Sequence, residues 1–211
     1  MNRNKRDQMR IAGWRTPGDW QALKSLLLTR SDQADWEKAY TEYFLERLRL
    51  RYLEPIQVLR ENSSYQGEGF SMVAIQCSLV EFLESTVQGL KYRYLRRGEK
   101  LGLYEYSSTK DIFVKFLTAR KPFCEYFDTG IANDFYAGVR CGLLHEATTR
   151  NGWRIWGKDR DDRIIDPTQK IIFRDNMQDA FLAFISEYKG QLISTHELQL
   201  AFIRKFDSLC E

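Results

Sequence analysis

The stretch Phe70–Tyr94, FSMVAIQCSLVEFLESTVQGLKYRY, decides how this chain folds. Phe70, Val73, Ala74, Cys77, Val80, Leu83, Val87 and Leu90 recur at helical spacing, and Met72, Ile75, Leu79 and Phe82 make a second apolar stripe. Only a narrow polar strip is left, through Ser71, Ser78, Glu81, Ser85 and Gln88. A helix that is apolar on two sides sits in the middle of a bundle, so the spacing predicts a central helix from about Phe70 to Tyr94 with other helices around it.

Working outward, helical periodicity is found on both sides. Before it, DWEKAYTEYFLERLRLRYLEPIQVLRE opens at Ser31 or Asp32 and repeats Tyr40, Phe44, Leu48 and Tyr52; Pro55 is expected to kink or end that helix near Leu53. A shorter helix from Trp20 to Thr29, capped by Asp19, precedes it. Residues 1 to 17 read as a basic arm that Trp14 and Trp20 pin to the body. After the central helix come a short one from Ser108 or Thr109, an aromatic connector KPFCEYFDTG, and a helix near Ala132 to Leu144. The runs GWRIWG, RIID and KIIF then change the period to that of strands and predict a β-ribbon over 153–173. Two C-terminal helices close the chain, Asp175–Ile193 and Thr195–Leu209. The expected class is mainly α, a helical bundle with a small β-ribbon insertion. Residues 1–30 form an arm and short helix, and 31–211 a single domain.

Composition narrows the function classes. A net charge of +3 on 211 residues does not indicate a protein that coats nucleic acid. One local patch stands out: KYRYLRRGEK mixes Tyr92 and Tyr94 with Lys91, Arg93, Arg96 and Arg97, a mixture that tracks phosphates and stacks bases. It also fits a solvated helix end whose cations complement the dipole. Cys77, Cys124, Cys141 and Cys210 are widely spaced, without a CxxC or a Cys/His cluster, so no metal or other cofactor is expected. With no apolar leader, and apolar runs read as too short for a bilayer, the expectation is a cytoplasmic protein with reduced thiols and no membrane partner. KDRDDR lacks the ligand pattern of a calcium loop and reads as a charged hairpin tip.

The most specific stretch is GVRCGLLHEATTRNGW, Gly138–Trp153. Phe135, Val139 and Leu143 mark one face as core. Gly138 and Gly142, four apart, each cost about 1 kcal/mol against alanine in a helix, which points to another backbone close by, an inner helix or a second subunit. Arg140 stands beside Tyr136, and His145 lies at the helix end; five residues span about 140° on an ideal helix, so they share a groove only if the chain turns near Leu144. An arginine paired with Glu81 or Glu146, and a histidine in a last helical turn, would account for both residues without catalysis.

RCGLLH, inside YAGVRCGLLHEATTRNGW and following a long apolar helix, resembles the Arg-x4-His motif of HEPN domains (higher eukaryotes and prokaryotes nucleotide-binding). The likeness is strong over Phe135–Trp153, moderate over Phe70–Tyr94 and weak elsewhere. It implies a metal-independent endoribonuclease for single-stranded RNA, with Arg140 and His145 from two copies meeting in one cleft, hence a homodimer. It also implies a setting such as phage defence or a toxin–antitoxin pair with a regulatory partner protein. Glu81, Tyr136 and Glu146 are the supporting candidates, and Lys91, Arg93, Arg96 and Arg97 the RNA-binding ones. Many HEPN ribonucleases carry a polar residue after the arginine where this chain has Cys141. The alternative implied is a non-catalytic module that binds nucleotide, RNA or a protein.

Overall fold

In a computed structural model, residues 9–30, 32–62 and 67–211 are described. Among them seven helices and five short strands give a mainly α fold with a small β insertion, as the periodicity predicts. The helices are α1 (Pro17–Thr29), α2 (residues 33–61), α3 (Glu68–Gln88), α4 (Thr109–Ala119), α5 (residues 129–146), α6 (Arg174–Ser194) and α7 (His196–Ser208).

α3 is central, but shorter than its apolar period suggests. Its C-cap is Gly89, in the left-handed conformation at φ +66°, which a side chain would resist; a Cβ there would also lie 2.6 Å from the Ala201 backbone of α7. The buried Lys205 ammonium donates to Ser85 Oγ at 2.7 Å and to Leu90 O, just past the cap, at 3.1 Å. Lys91–Tyr92 therefore form a strand, β1, in parallel register with β2 (Glu105–Tyr106): Lys91 opposite Glu105, Tyr92 opposite Tyr106. The patch read as a helix end is a ribbon with a twelve-residue excursion, residues 93–104.

By length and composition α3 would also suffice to cross a bilayer, contrary to the reading of its apolar runs as too short. Here it is packed inside the bundle and carries Glu84 at 0% exposure. The Arg120 guanidinium grips Glu84 with two bonds, 2.8 and 2.9 Å, and Gln88 donates to it at 2.7 Å. That arrangement meets the cost of burying a carboxylate.

Pro55 does not end α2. A π turn over Arg49–Leu53 precedes it, with Glu54 N–H bonding five residues back to Arg49 O, and the α-helix resumes over Glu54–Glu61. Shifting the ladder by one residue ahead of the proline makes room for a ring that would clash with an ordinary turn. Asp32 is the N-cap, accepting from Asp35 N at 2.9 Å; Ser31 lies outside the described residues. In α1 the N-cap is Thr16, and Asp19 is the other half of a capping box, so the cap lies three residues earlier than expected. Trp20 is buried and donates to Asp207 Oδ1 at 2.9 Å, whereas Trp14 is 78% exposed, with the Arg10 guanidinium over its ring. Ile11 and Ala12, both buried, are what hold the segment before α1 to the body.

The predicted ribbon over 153–173 is present as β3 (Arg154–Trp156), β4 (Ile165–Asp166) and β5 (Ile171–Phe173), in the order β3-β5-β4 with the first pair parallel and the second antiparallel. The expected charged tip KDRDDR is not simply solvated: Arg163 grips Asp159 at 3.0 and 3.1 Å, and Asp159 N donates to Asn176 at 2.9 Å.

Candidate functional site

α5 begins at Asp128, whose carboxylate accepts from Ile131 N at 2.7 Å, and Phe135 and Val139 are buried against the core. A π turn spans Tyr136–Cys141 and contains Arg140. π turns often mark functional positions. α2 contains two of its own, so the turn alone assigns nothing. The helix ends after Glu146, where Ala147 adopts φ +53° and reverses the chain.

The reversal explains the two glycines. Residues 148–153 run back along the helix: Arg150 N bonds Gly138 O at 2.7 Å and Thr148 N bonds Gly142 O at 3.4 Å. A Cβ on Gly142 would stand 2.5 Å from Thr148 O, and one on Gly138 would stand 2.9 Å from both Arg150 O and the Trp153 ring. The close backbone that the glycines call for is the chain's own return strand, neither an inner helix nor a second subunit.

Asp134 fastens that return. Its carboxylate accepts from Asn151 at 2.8 Å, from the Trp153 indole at 3.0 Å and from Lys170 of the β insert at 2.8 Å. The Lys170 ammonium holds the Asp134 carboxyl below the usual carboxylate range, with Asn151 and Trp153 adding to the effect. Trp153 is buried with its edge toward Phe135, ring centroids 5.3 Å apart. Sequence reading missed Asp134; the available signal was its spacing of four from Gly138 and eight from Gly142, which puts it on the glycine flank.

Arg140 lies on the other flank. Its guanidinium carbon is 5.4 Å from the centroid of the Tyr136 ring, and Tyr136 Oη is 2.7 Å from Thr109 Oγ1 at the start of α4. Half-buried, Arg140 forms no hydrogen bond or ion pair with any described residue, although most arginines of the chain have one. Its charge acts on Cys77 of α3, whose buried thiol is nonetheless pushed up to about 12 by desolvation. His145 is exposed in the last turn of α5, beside the exposed Leu144.

The supporting residues divide. Tyr136 is beneath Arg140 as expected. Glu81 does not pair with Arg140: it accepts from Tyr106 Oη at 2.9 Å, and so anchors β2 to α3. Glu146, the last residue of α5, pairs with Arg150 of the return segment at 2.7 Å. Of the RNA-binding candidates, Lys91 pairs with Glu211, and Arg93 with Glu105 at 3.0 Å and Glu99 at 3.6 Å. The Arg96 and Arg97 side chains are exposed and have no carboxylate partner among the described residues. His196 is exposed at the start of α7.

The arrangement offers a fixed cation for an anionic group at Arg140 and an accessible proton carrier at His145. No family model, curated protein or solved structure matches this chain.

Proposed function

We propose that this protein is a metal-independent endoribonuclease that cuts single-stranded RNA, with Arg140 and His145 as its working groups. The observation that carries the reading is Arg140 itself. A half-buried guanidinium supported by an aromatic ring and unpaired with any described carboxylate is suited to a phosphate, and His145 is open to solvent on the same helix. The Arg-x4-His resemblance supports it.

The chemistry is internal transesterification. The RNA 2′-oxygen attacks phosphorus as its proton passes to a base, the P–O5′ bond breaks, and the 5′-oxygen takes a proton from an acid; the products are a 2′,3′-cyclic phosphate and a 5′-hydroxyl. Arg140 neutralises charge on the pentavalent phosphate. One chain has one such imidazole, so we propose a homodimer in which a second His145 serves the other proton transfer. A regulatory protein that covers this surface, of the antitoxin kind, fits the same proposal.

Purified protein should cut a single-stranded RNA in EDTA, and Arg140→Ala and His145→Ala should each abolish cutting while the protein stays folded. Cutting that requires a divalent cation, or that survives both changes, rejects this mechanism.

A second reading has its own support. Gly138 and Gly142 are covered by the chain's own return segment, so they give no reason for a subunit to approach there. A non-catalytic module that binds RNA, nucleotide or a protein through the same flank would then be left; it predicts binding without cleavage products.

A further inference from the structure

The excursion between β1 and β2 combines exposed rings with unpaired cations. Tyr94 is 76% and Leu103 86% exposed, and Tyr104 is half exposed. The loop is nevertheless held in shape. Arg93 ties it to Glu105 and Glu99; Glu99 N donates to Arg96 O at 3.1 Å, and Arg96 N to the Glu99 carboxylate at 3.2 Å. Having engaged Glu99 and Glu105 in this way, the loop leaves Arg96, Arg97 and Lys100 in solvent with no carboxylate partner among the described residues.

Behind the loop, a cavity of about 520 Å³ lies between the ribbon and α7, with Lys91, Tyr104 and Arg204 in its lining. Every carboxylate that lines it is already held: Glu105 by Arg93, Asp207 by Lys24 at 2.6 Å and Glu211 by Lys91. Arg204 is the one lining charge without an opposite charge among the described residues. Its guanidinium stacks on Tyr104, 4.1 Å from the ring centroid, its Nη2 donates to Gln88 O at 3.5 Å, and its Nε is buried with no hydrogen-bond partner among the described residues. Tyr92 is less available, because its ring meets Tyr106 edge-on at 5.6 Å.

We infer that this ribbon is a docking surface for single-stranded nucleic acid, with bases stacking on Tyr94 and Tyr104 and phosphates taken by Arg96, Arg97, Lys100 and Arg204. Ring faces select unpaired bases, since paired ones are already stacked, and unpaired cations select a polyanion. The cavity has the size of a small-ligand site, enough for one nucleotide to enter. An anionic bilayer would meet the same cations, but a flat surface cannot enter a recess or reach the guanidinium on Tyr104. The surface shares RNA with the cleavage proposal but not its chemistry, and it is linked to that site through the fold. Tyr106 hydrogen-bonds Glu81 of α3, and Thr109, three residues after Tyr106, contacts Tyr136 beneath Arg140.

The test is fluorescence polarisation of the full chain with a labelled oligodeoxythymidine of about twelve nucleotides. DNA lacks the 2′-hydroxyl, so binding is read independently of cutting. The wild type should bind it better than a duplex of equal length. Tyr94→Ala should weaken binding about 5- to 150-fold. Arg96→Glu/Arg97→Glu/Lys100→Glu should weaken it further and lower the salt slope by about 2. Lys38→Glu, on the exposed face of α2, should bind like the wild type. Thermal melts confirm that each variant is folded. Absence of oligonucleotide binding, or binding indifferent to the ribbon changes, overturns the inference even if RNA cutting is found. Capture by phosphatidylserine vesicles without oligonucleotide binding reassigns the surface to a membrane.

Discussion

The two flanks of α5 are made from interleaved residues of one short stretch, yet they are finished in different ways. On the glycine flank every group has a partner: backbone lies against Gly138 and Gly142, Trp153 packs on Phe135, and Asp134 gathers three donors. On another flank Arg140 rests on Tyr136 and bonds to nothing else described, and at the end of the helix His145 is in solvent. A motif that looks like one functional unit is thus two. Its glycines, Asn151 and Trp153 shape the chain, whereas Arg140 and His145 have no hydrogen bond or ion pair with the described residues.

That contrast can be broken in order of size. Trp153→Ala removes a buried ring and should cost about 3–5 kcal/mol, read by urea denaturation. A loss under 1 kcal/mol would mean that the return segment is not packed as described. Gly142→Ala comes next. Alanine is the better helix former by about 1 kcal/mol, but its Cβ meets Thr148 O, so a net loss of about 1–3 kcal/mol is expected; a gain in stability would show that the two backbones are not in contact.

Asp134→Asn should be milder, about 1 kcal/mol at pH 7, since a carboxylate that is a third exposed is partly screened. Its sign with pH is definite. The folded-state value is depressed, so the contribution is complete above the unfolded value of about 3.9 and is lost as pH falls through the lower folded value. Wild type and variant should therefore converge in stability below about pH 4. A gap that stays constant from pH 7 to pH 3 would assign the effect to shape instead of charge.

The smallest stability effects belong to the open flank: Arg140→Ala and His145→Ala should each shift unfolding by no more than about 0.5 kcal/mol, while RNA cutting disappears. A large loss of stability at Arg140 would place it with the structural residues.

How much of this was legible varied with the range of the interactions. The bundle, the central place of α3, the cap at Ser108 and the ribbon over 153–173 follow from periodicity and short-range hydrogen bonding, and the structure has them. Boundaries were misread where a distant segment intervenes. Tyr94 seemed helical because its neighbours keep an apolar period, but Gly89 is pressed on Ala201, more than a hundred positions away. Pro55 is expected to kink or end the helix because the rule assumes an α-helical ladder, and a π turn changes the ladder. Within the candidate site Tyr136 was placed correctly by its spacing to Arg140. Glu81 and Glu146 were not, because which cation a carboxylate meets depends on elements that sequence proximity does not reveal.

By itself the order of residues determined the helical class, the small strand insertion and the chemical identity of the candidate groups, since these depend on period and side-chain type. Which cations remain unpaired was decided only by tertiary structure. Lys91 and Arg93 look the same as Arg96 and Arg97 along the chain, but folding brings Glu211 and Glu105 to the first pair and no described carboxylate to the second. Charge pairing works over a few ångströms, and those distances exist only once the chain has closed on itself.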